Sequence, residues 1–218
     1  MKFAVLGTGV VGQTIGTKLI ELGHEVVMGS RQAGNDAAVT WSEEAGETAG
    51  EGSFGDAAGF GEIVFNCTAG GSSLDALAAA GEADLTGKVL IDVANPLDFS
   101  AGMPPTLSIC NDDSLGERIQ AAFPEARVVK TLNTVNSAVM VEPGRVGGDH
   151  VVFVCGEDGD AKGEVEELLE SFGWPAERIV DLGGIAAARG TEMYLPLWLA
   201  LYGKLGSGDF NIALERPR

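Results

Sequence analysis

Apolar residues along this chain gather in short runs separated by amphipathic stretches. Lys2–Leu6, Glu25–Met28, Glu62–Cys67, Lys88–Val93, Arg127–Thr131, His150–Cys155 and Arg178–Asp181 read as strands. Ile63-Val64-Phe65, Val89-Leu90-Ile91 and Val151-Val152-Phe153-Val154 are continuously apolar instead of alternating, as strands are when helices cover both sheet faces. Helical patterns fill the intervals. Val11–Leu22 follows the first strand, and Ser114 is placed to cap Leu115–Phe123 before Pro124. Asp160 is expected to cap a run ending at Phe172, with Val165, Leu168, Leu169 and Phe172 on one face and Glu164, Glu166, Glu167 and Glu170 solvated. The pattern predicts an α/β fold with a doubly wound parallel sheet.

Two stretches are less regular. Gly34–Gly61 holds a predicted helix over Val39–Thr48 and a brief strand at Ser53-Phe54. Ile185–Gly206 contains Pro196, so a kinked helix or two short ones is expected. Its Met193, Leu195, Leu197, Trp198 and Leu201 serve as core, or cover a substrate site or a homodimer contact. Asp209–Leu214 is read as a final short strand.

The strongest chemical signal follows the first strand, where Gly7-Thr8-Gly9-Val10-Val11-Gly12 has the spacing GxGxxG. Gly7 permits the tight turn, Gly9 lets backbone approach a pyrophosphate, and Gly12 lets the next helix pack closely. That helix aims its free N–H groups at the anion. The context of strand, motif, helix and second strand is that of a Rossmann dinucleotide site. In such sites an acid after the second strand binds the ribose 2′-hydroxyl of NAD, whereas an arginine accommodates the 2′-phosphate of NADP. Here the position reads Ser30-Arg31, which favours NADP.

Ligands in open α/β sheets bind beyond the carboxyl ends of the strands. That edge collects Thr8–Val11, Ser30 and Arg31, then Thr68, Ala69, Gly70 and Gly71, then Asn95, Pro96, Leu97 and Asp98, then Leu132 to Ser137. Asn133, Thr134 and Asn136 orient a carboxamide or carbonyl but cannot act as bases near neutral pH. His24 and His150 begin strands, on the wrong edge, and read as structural. An edge without a proton carrier fits hydride transfer between two cofactors held face to face.

With 218 residues the chain accommodates a dinucleotide-binding domain over 1–150 and a small carboxyl-terminal portion over 151–218. A formal net charge of −18 disfavours nucleic acid and anionic membranes. The same charge places the burden of holding an anionic cofactor on Arg31, the helix N-terminus and Lys130. Cys67, Cys110 and Cys155 are odd in number and widely spaced, so they read as buried thiols in a reducing compartment; Cys67 stands apart because its strand end faces the cofactor. Met1-Lys2-Phe3 enters a strand at once, and Tyr194–Tyr202 is too short to span a membrane. A cytoplasmic location is expected.

Gly7–Gly12 with Gly29-Ser30-Arg31, Asn95-Pro96-Leu97, Val129–Thr134 and Gly208-Asp209-Phe210-Asn211-Ile212 resemble the NADPH-dependent coenzyme F420 reductases, or F420-dependent NADP oxidoreductases. The resemblance covers nearly the whole chain. It implies reversible hydride transfer between NADP(H) and a deazaflavin, on a Rossmann domain with a small carboxyl-terminal portion, commonly as a homodimer. Carried over by position, Thr8, Ser30 and Arg31 hold the NADP phosphates and Thr134 borders the nicotinamide. Two positions depart from the family: Gln32–Asp36 supply no lysine after the Ser-Arg pair, and Asn133 stands where a histidine is frequent. The architecture is also similar to the reductase domain of membrane ferric reductases, which use a flavin. Alternatives are an NADPH-dependent reductase of a flavin or small imine or carbonyl, and a non-catalytic NADP-binding sensor.

Overall fold

A computed structural model describes residues 1–215 and 217. Among the described residues ten strands are formed: β1 Lys2–Leu6, β2 Glu25–Ser30, β3 Ala49–Ser53, β4 Ile63–Asn66, β5 Val89–Asp92, β6 Leu97–Asp98, β7 Thr106–Leu107, β8 Arg127–Thr131, β9 Val152–Cys155 and β10 Ile179–Asp181. The helices are α1 Val10–Glu21, α2 Asp36–Ala45, α3 Phe54–Phe60, α4 Ser73–Ala80, α5 Glu82–Leu85, α6 Leu115–Ala122, α7 Ser137–Val141, α8 Gly159–Ser171, α9 Ala188–Met193 and α10 Leu195–Leu205.

Eight strands make one sheet in the order β10-β9-β8-β5-β4-β1-β2-β3, with β6 and β7 as a separate hairpin. From β3 to β8 every pairing is parallel, giving the doubly wound order of a Rossmann fold with its switch point between β1 and β4. Beyond β8 the expectation of a parallel sheet fails, because β9 runs antiparallel to β8 before β10 resumes parallel pairing. Both late strands, drawn from residues 152–181, extend the same sheet.

Alternate residues of the central strands feed two apolar layers. Phe3, Val5, Phe65, Ile91 and Val129 pack on one side, whereas Ala4, Leu6, Val64, Leu90 and Val128 pack on the other, all of them buried. Helix α1 lies against the first layer, and Gly16 admits the Trp41 ring where a Cβ would come within 2.7 Å of it.

Several local expectations are corrected. Ser53 ends β3 and also caps α3, its side chain and that of Asp56 exchanging bonds in a capping box, so Phe54 opens a helix and not a strand. The helix expected over Val39–Thr48 begins earlier, at Asp36, because Asn35 accepts from the N–H groups of Ala37 and Ala38. Asp158, not Asp160, caps α8 through Ala161 N. The final strand reduces to a single bridge between His150 and Ala213. Ile185–Gly206 does divide, into a turn of 3-10 helix, α9 and α10, with Pro196 in the first turn of α10.

Candidate functional site

The parallel strands deliver their carboxyl ends to one edge, and two cavities open there. The first, of about 730 Å³, is lined by Gly7, Thr8, Gly9, Ser30, Arg31, Thr68 and Ala69, with Asp75 from α4. The second, of about 420 Å³, is lined by Val11, Thr68, Ala69, Gly70, Asn95, Asn133, Thr134 and Asn136, with Leu97, Phe99, Leu195 and Trp198 forming apolar wall. Cys67, Thr68 and Ala69 belong to both, so the spaces meet at the end of β4. Val10, Gly12 and Pro96 stand outside both linings.

Each motif glycine has its own reason. Gly7 holds φ +118°, and a Cβ there would lie 2.7 Å from the Cys67 carbonyl oxygen. A Cβ on Gly12 would collide with the Gly7 carbonyl, whereas one on Gly9 would meet nothing within 4 Å. Gly9 therefore faces open space at the mouth of α1. As the N-cap it brings no side chain to the helix, and no acid occupies the first turn, so the leading N–H groups carry an uncompensated positive end.

Ser30 ends β2 and donates its hydroxyl proton to the Gln32 carbonyl at 2.5 Å, fixing the turn that presents Arg31. Glu51 secures the same loop by accepting from Gly34 N at 2.9 Å. Arg118, Arg127, Arg145, Arg178 and Arg189 each hold a carboxylate. Arg31 is exposed and has no such partner among the described residues. In the second cavity Asn95 and Asn133 clasp each other: Asn95 donates to the Asn133 carbonyl at 2.8 Å, and the Asn133 amide donates to Asn95 Oδ1 at 3.0 Å. Asn136 caps α7 through Ala138 N and Val139 N.

Lys130 does not serve as a cofactor donor. Its ammonium is fully buried and its protons are taken by Asp92 Oδ2 at 2.8 Å, Glu192 Oε1 at 2.8 Å and the Ala94 carbonyl. Burial alone would depress its pKa, but the Asp92 and Glu192 charges outweigh that and raise it. Glu192, on α9, also caps α6 by accepting from Leu115 N and Gly116 N. Asn66 donates to Asp92 Oδ1 at 2.8 Å and accepts from the Thr68 hydroxyl at 2.7 Å. A buried polar chain thus runs from α6 to the cavity edge. Sequence reasoning passed over Asn66, Asp92 and Glu192; for Asn66 and Asp92 the available signal was a polar residue closing an otherwise apolar strand, whereas Glu192 on α9 carried none.

The cysteines are partly as expected. Cys155 is buried, its thiol pushed up to about 12 by burial, while Cys67 and Cys110 are half-buried. Burial, aided by the Asp92 charge, pushes the Cys67 thiol far above its ordinary range. His150 is structural: its ring lies between the Pro143 and Val146 carbonyls and Asn211. Trp198 stacks on Tyr202 and Phe210 at centroid distances of 5.4 and 5.3 Å. No group of side chains with metal-binding composition, and no helix long and apolar enough to cross a membrane, occurs among the described residues.

A sequence profile described as NADP oxidoreductase, coenzyme F420-dependent, matches residues 2–96. A crystal structure from Arthrobacter sp. FB24, assigned as an F420-dependent NADP reductase, is 52% identical, superposes with a TM-score of 0.93, and pairs 99% of this chain with 100% of its own. This chain belongs to the F420-dependent NADP oxidoreductase family. It is an NADP-dependent oxidoreductase, and NADP and coenzyme F420 are the cofactor pair the family implies. The F420-dependent NADP reductase of Methanothermobacter marburgensis is 29% identical over 213 residues, 92% of each chain. The rat metalloreductase STEAP3 is 30% identical over 210 residues, covering 90% of this chain; the match spans only 38% of the metalloreductase's length.

Proposed function

We propose that this chain passes a hydride directly between NADP(H), held at the β1–α1 turn, and coenzyme F420, held in the adjoining cavity. When both are bound, nicotinamide and deazaflavin supply the hydride donor and acceptor. The observation that carries this reading is the composition of the second cavity. Among its lining residues Cys67 alone is titratable, and burial keeps that thiol protonated. Such a wall positions reactants and excludes water without moving protons, which suits hydride exchange between two rings.

The first cavity fits a dinucleotide phosphate. Open space above Gly9 and the uncapped N-terminus of α1 suit a pyrophosphate, and Arg31 beside Ser30, without a carboxylate partner among the described residues, suits the 2′-phosphate. Thr8 and Val11 flank the same helix mouth, while Thr68, Ala69 and Gly70 would border the junction. The second cavity suits a flat ring system: Phe99, Leu195 and Trp198 offer apolar surface in a space also lined by Asn95, Asn133, Thr134 and Asn136. Residues 151–218 complete this wall through Leu195 and Trp198.

Leu197, Tyr202 and Leu205 are 56%, 48% and 58% exposed on α10, and we assign this face to a homodimer contact. Sedimentation as a monomer at micromolar concentration would remove that assignment. Three free thiols accord with a reducing cytoplasm.

The test is anaerobic mixing of the protein with oxidised coenzyme F420 and either NADPH or NADH, with FMN as parallel acceptor. Fast loss of F420 absorbance with NADPH alone is expected. Bleaching of FMN only would redirect the function to flavin reduction, and NADPH binding without turnover would leave a sensor.

A further inference from the structure

Asn66, Asp92 and Lys130 occupy one register across three adjacent strands, since Asn66 pairs with Asp92 and Asp92 with Lys130 in the β4-β5-β8 ladder. All three are essentially inaccessible to water. The row has a fixed direction. Asp92 accepts from the Lys130 ammonium at Oδ2 and from Ala94 N at Oδ1, so Asn66 must turn its NH₂ toward Oδ1 at 2.8 Å. The Asn66 carbonyl then faces Thr68, whose backbone N–H also points at it, at 3.3 Å. The Thr68 hydroxyl, 2.7 Å from that carbonyl, must therefore donate inward. Ser73 Oγ, 3.0 Å from Thr68 Oγ1, cannot accept that proton and donates either to Thr68 Oγ1 or to the Ala69 carbonyl at 3.4 Å. At least one lone pair of Thr68 Oγ1 remains.

Thr68 stands where the two cavities join. We infer that Thr68 Oγ1 is a hydrogen-bond acceptor, never a donor, for the nicotinamide-riboside half of the cofactor, with Asn66, Asp92 and Lys130 as the residues that orient it. The inference rests on the NADP reading above. It selects a ligand donor, either a ribose hydroxyl or the carboxamide N–H, and rejects phosphate and carbonyl oxygens at this point. The neighbouring cleft supplies the contrary polarity, because the N–H groups of α1 and the Arg31 guanidinium only donate. A dinucleotide entering reversed would set its phosphates against a lone pair.

Two measurements test this. Thr68→Val, which keeps shape but loses the oxygen, should raise the Kd for NADPH about tenfold, the worth of one such bond, while Thr68→Ser restores most of it. Binding of adenosine 2′,5′-bisphosphate, which lacks the nicotinamide riboside, should change less than about twofold. The 3-acetylpyridine analogue of NADPH separates the donors: a penalty that vanishes assigns the carboxamide N–H, and one that persists assigns the ribose hydroxyl. Unaltered NADPH affinity in Thr68→Val, or an equal loss for the bisphosphate, overturns the contact. Neutron diffraction of deuterium-exchanged crystals then locates the Thr68 deuteron. Toward Asn66 Oδ1 it supports the orientation, and toward the cavity it overturns it. Wild-type protein that fails to bind NADPH removes the NADP reading and the contact together, while the deuteron position still judges the orienting row by itself.

Discussion

Lys130→Met removes the one cation from between two buried carboxylates while roughly preserving side-chain length. Asp92 would keep the Asn66 amide and Ala94 N, and Glu192 would keep Leu115 N and Gly116 N. Those residual bonds hold the loss to about 3–5 kcal/mol, the range for deleting one partner of a buried ion pair. At a urea m-value near 2 kcal/mol per M, the midpoint should fall by roughly 1.5–2.5 M. Urea titrations of the variant and the wild type at one pH read this directly. A midpoint shift below about 0.3 M would refute the reasoning, because it would mean that neither carboxylate depends on the ammonium.

Other consequences are equally open to measurement. Arg31→Ala should weaken NADPH by about ten- to a hundredfold, the worth of a charge-assisted bond, and leave NADH nearly unchanged; equal losses would remove the 2′-phosphate role. Gly12→Ala should lower Tm sharply through its collision with the Gly7 carbonyl, whereas Gly9→Ala should fold nearly as well but bind NADPH poorly; equal melting temperatures would contradict the geometry. The Arg189 fork holds Glu117 below its ordinary value of 4.5, giving stability present above that pH and lost as pH falls through the folded value. Glu117→Gln should therefore trail wild type at neutral pH and close the gap in acid; a constant gap would argue against the ion pair.

The amino-terminal half of the fold around the candidate site was legible because its signals are local. Lys2–Leu6 and Arg127–Thr131 form the strands their patterns predict, and the three motif glycines are separated by the turn they build. β3 was harder to see: Ala49-Gly50-Glu51-Gly52-Ser53 has no β-branched or large apolar residue, and it exists because β2 offers it a partner. The Lys130 row was hidden for another reason. Lys130 sits 38 residues from Asp92, and Glu192 arrives from α9, so only the strand order brings the charges together. A lysine ending an apolar strand reads equally well as a free cation or a buried one until its neighbours are known. The antiparallel entry of β9 has no local signature either, since its apolar run serves both directions.

The outer strands of the sheet bear on how these molecules meet one another. At one margin β3 offers a glycine-rich segment with Glu51 in its middle; at the other β10 is three residues long and ends in Asp181, held by Lys162 at 2.7 Å. Neither is a good template for a passing strand, because short or charged margins resist edge-to-edge growth. Crowded or heated protein is thereby steered away from fibre-like aggregation, which leaves the α10 face proposed above as the surface for association.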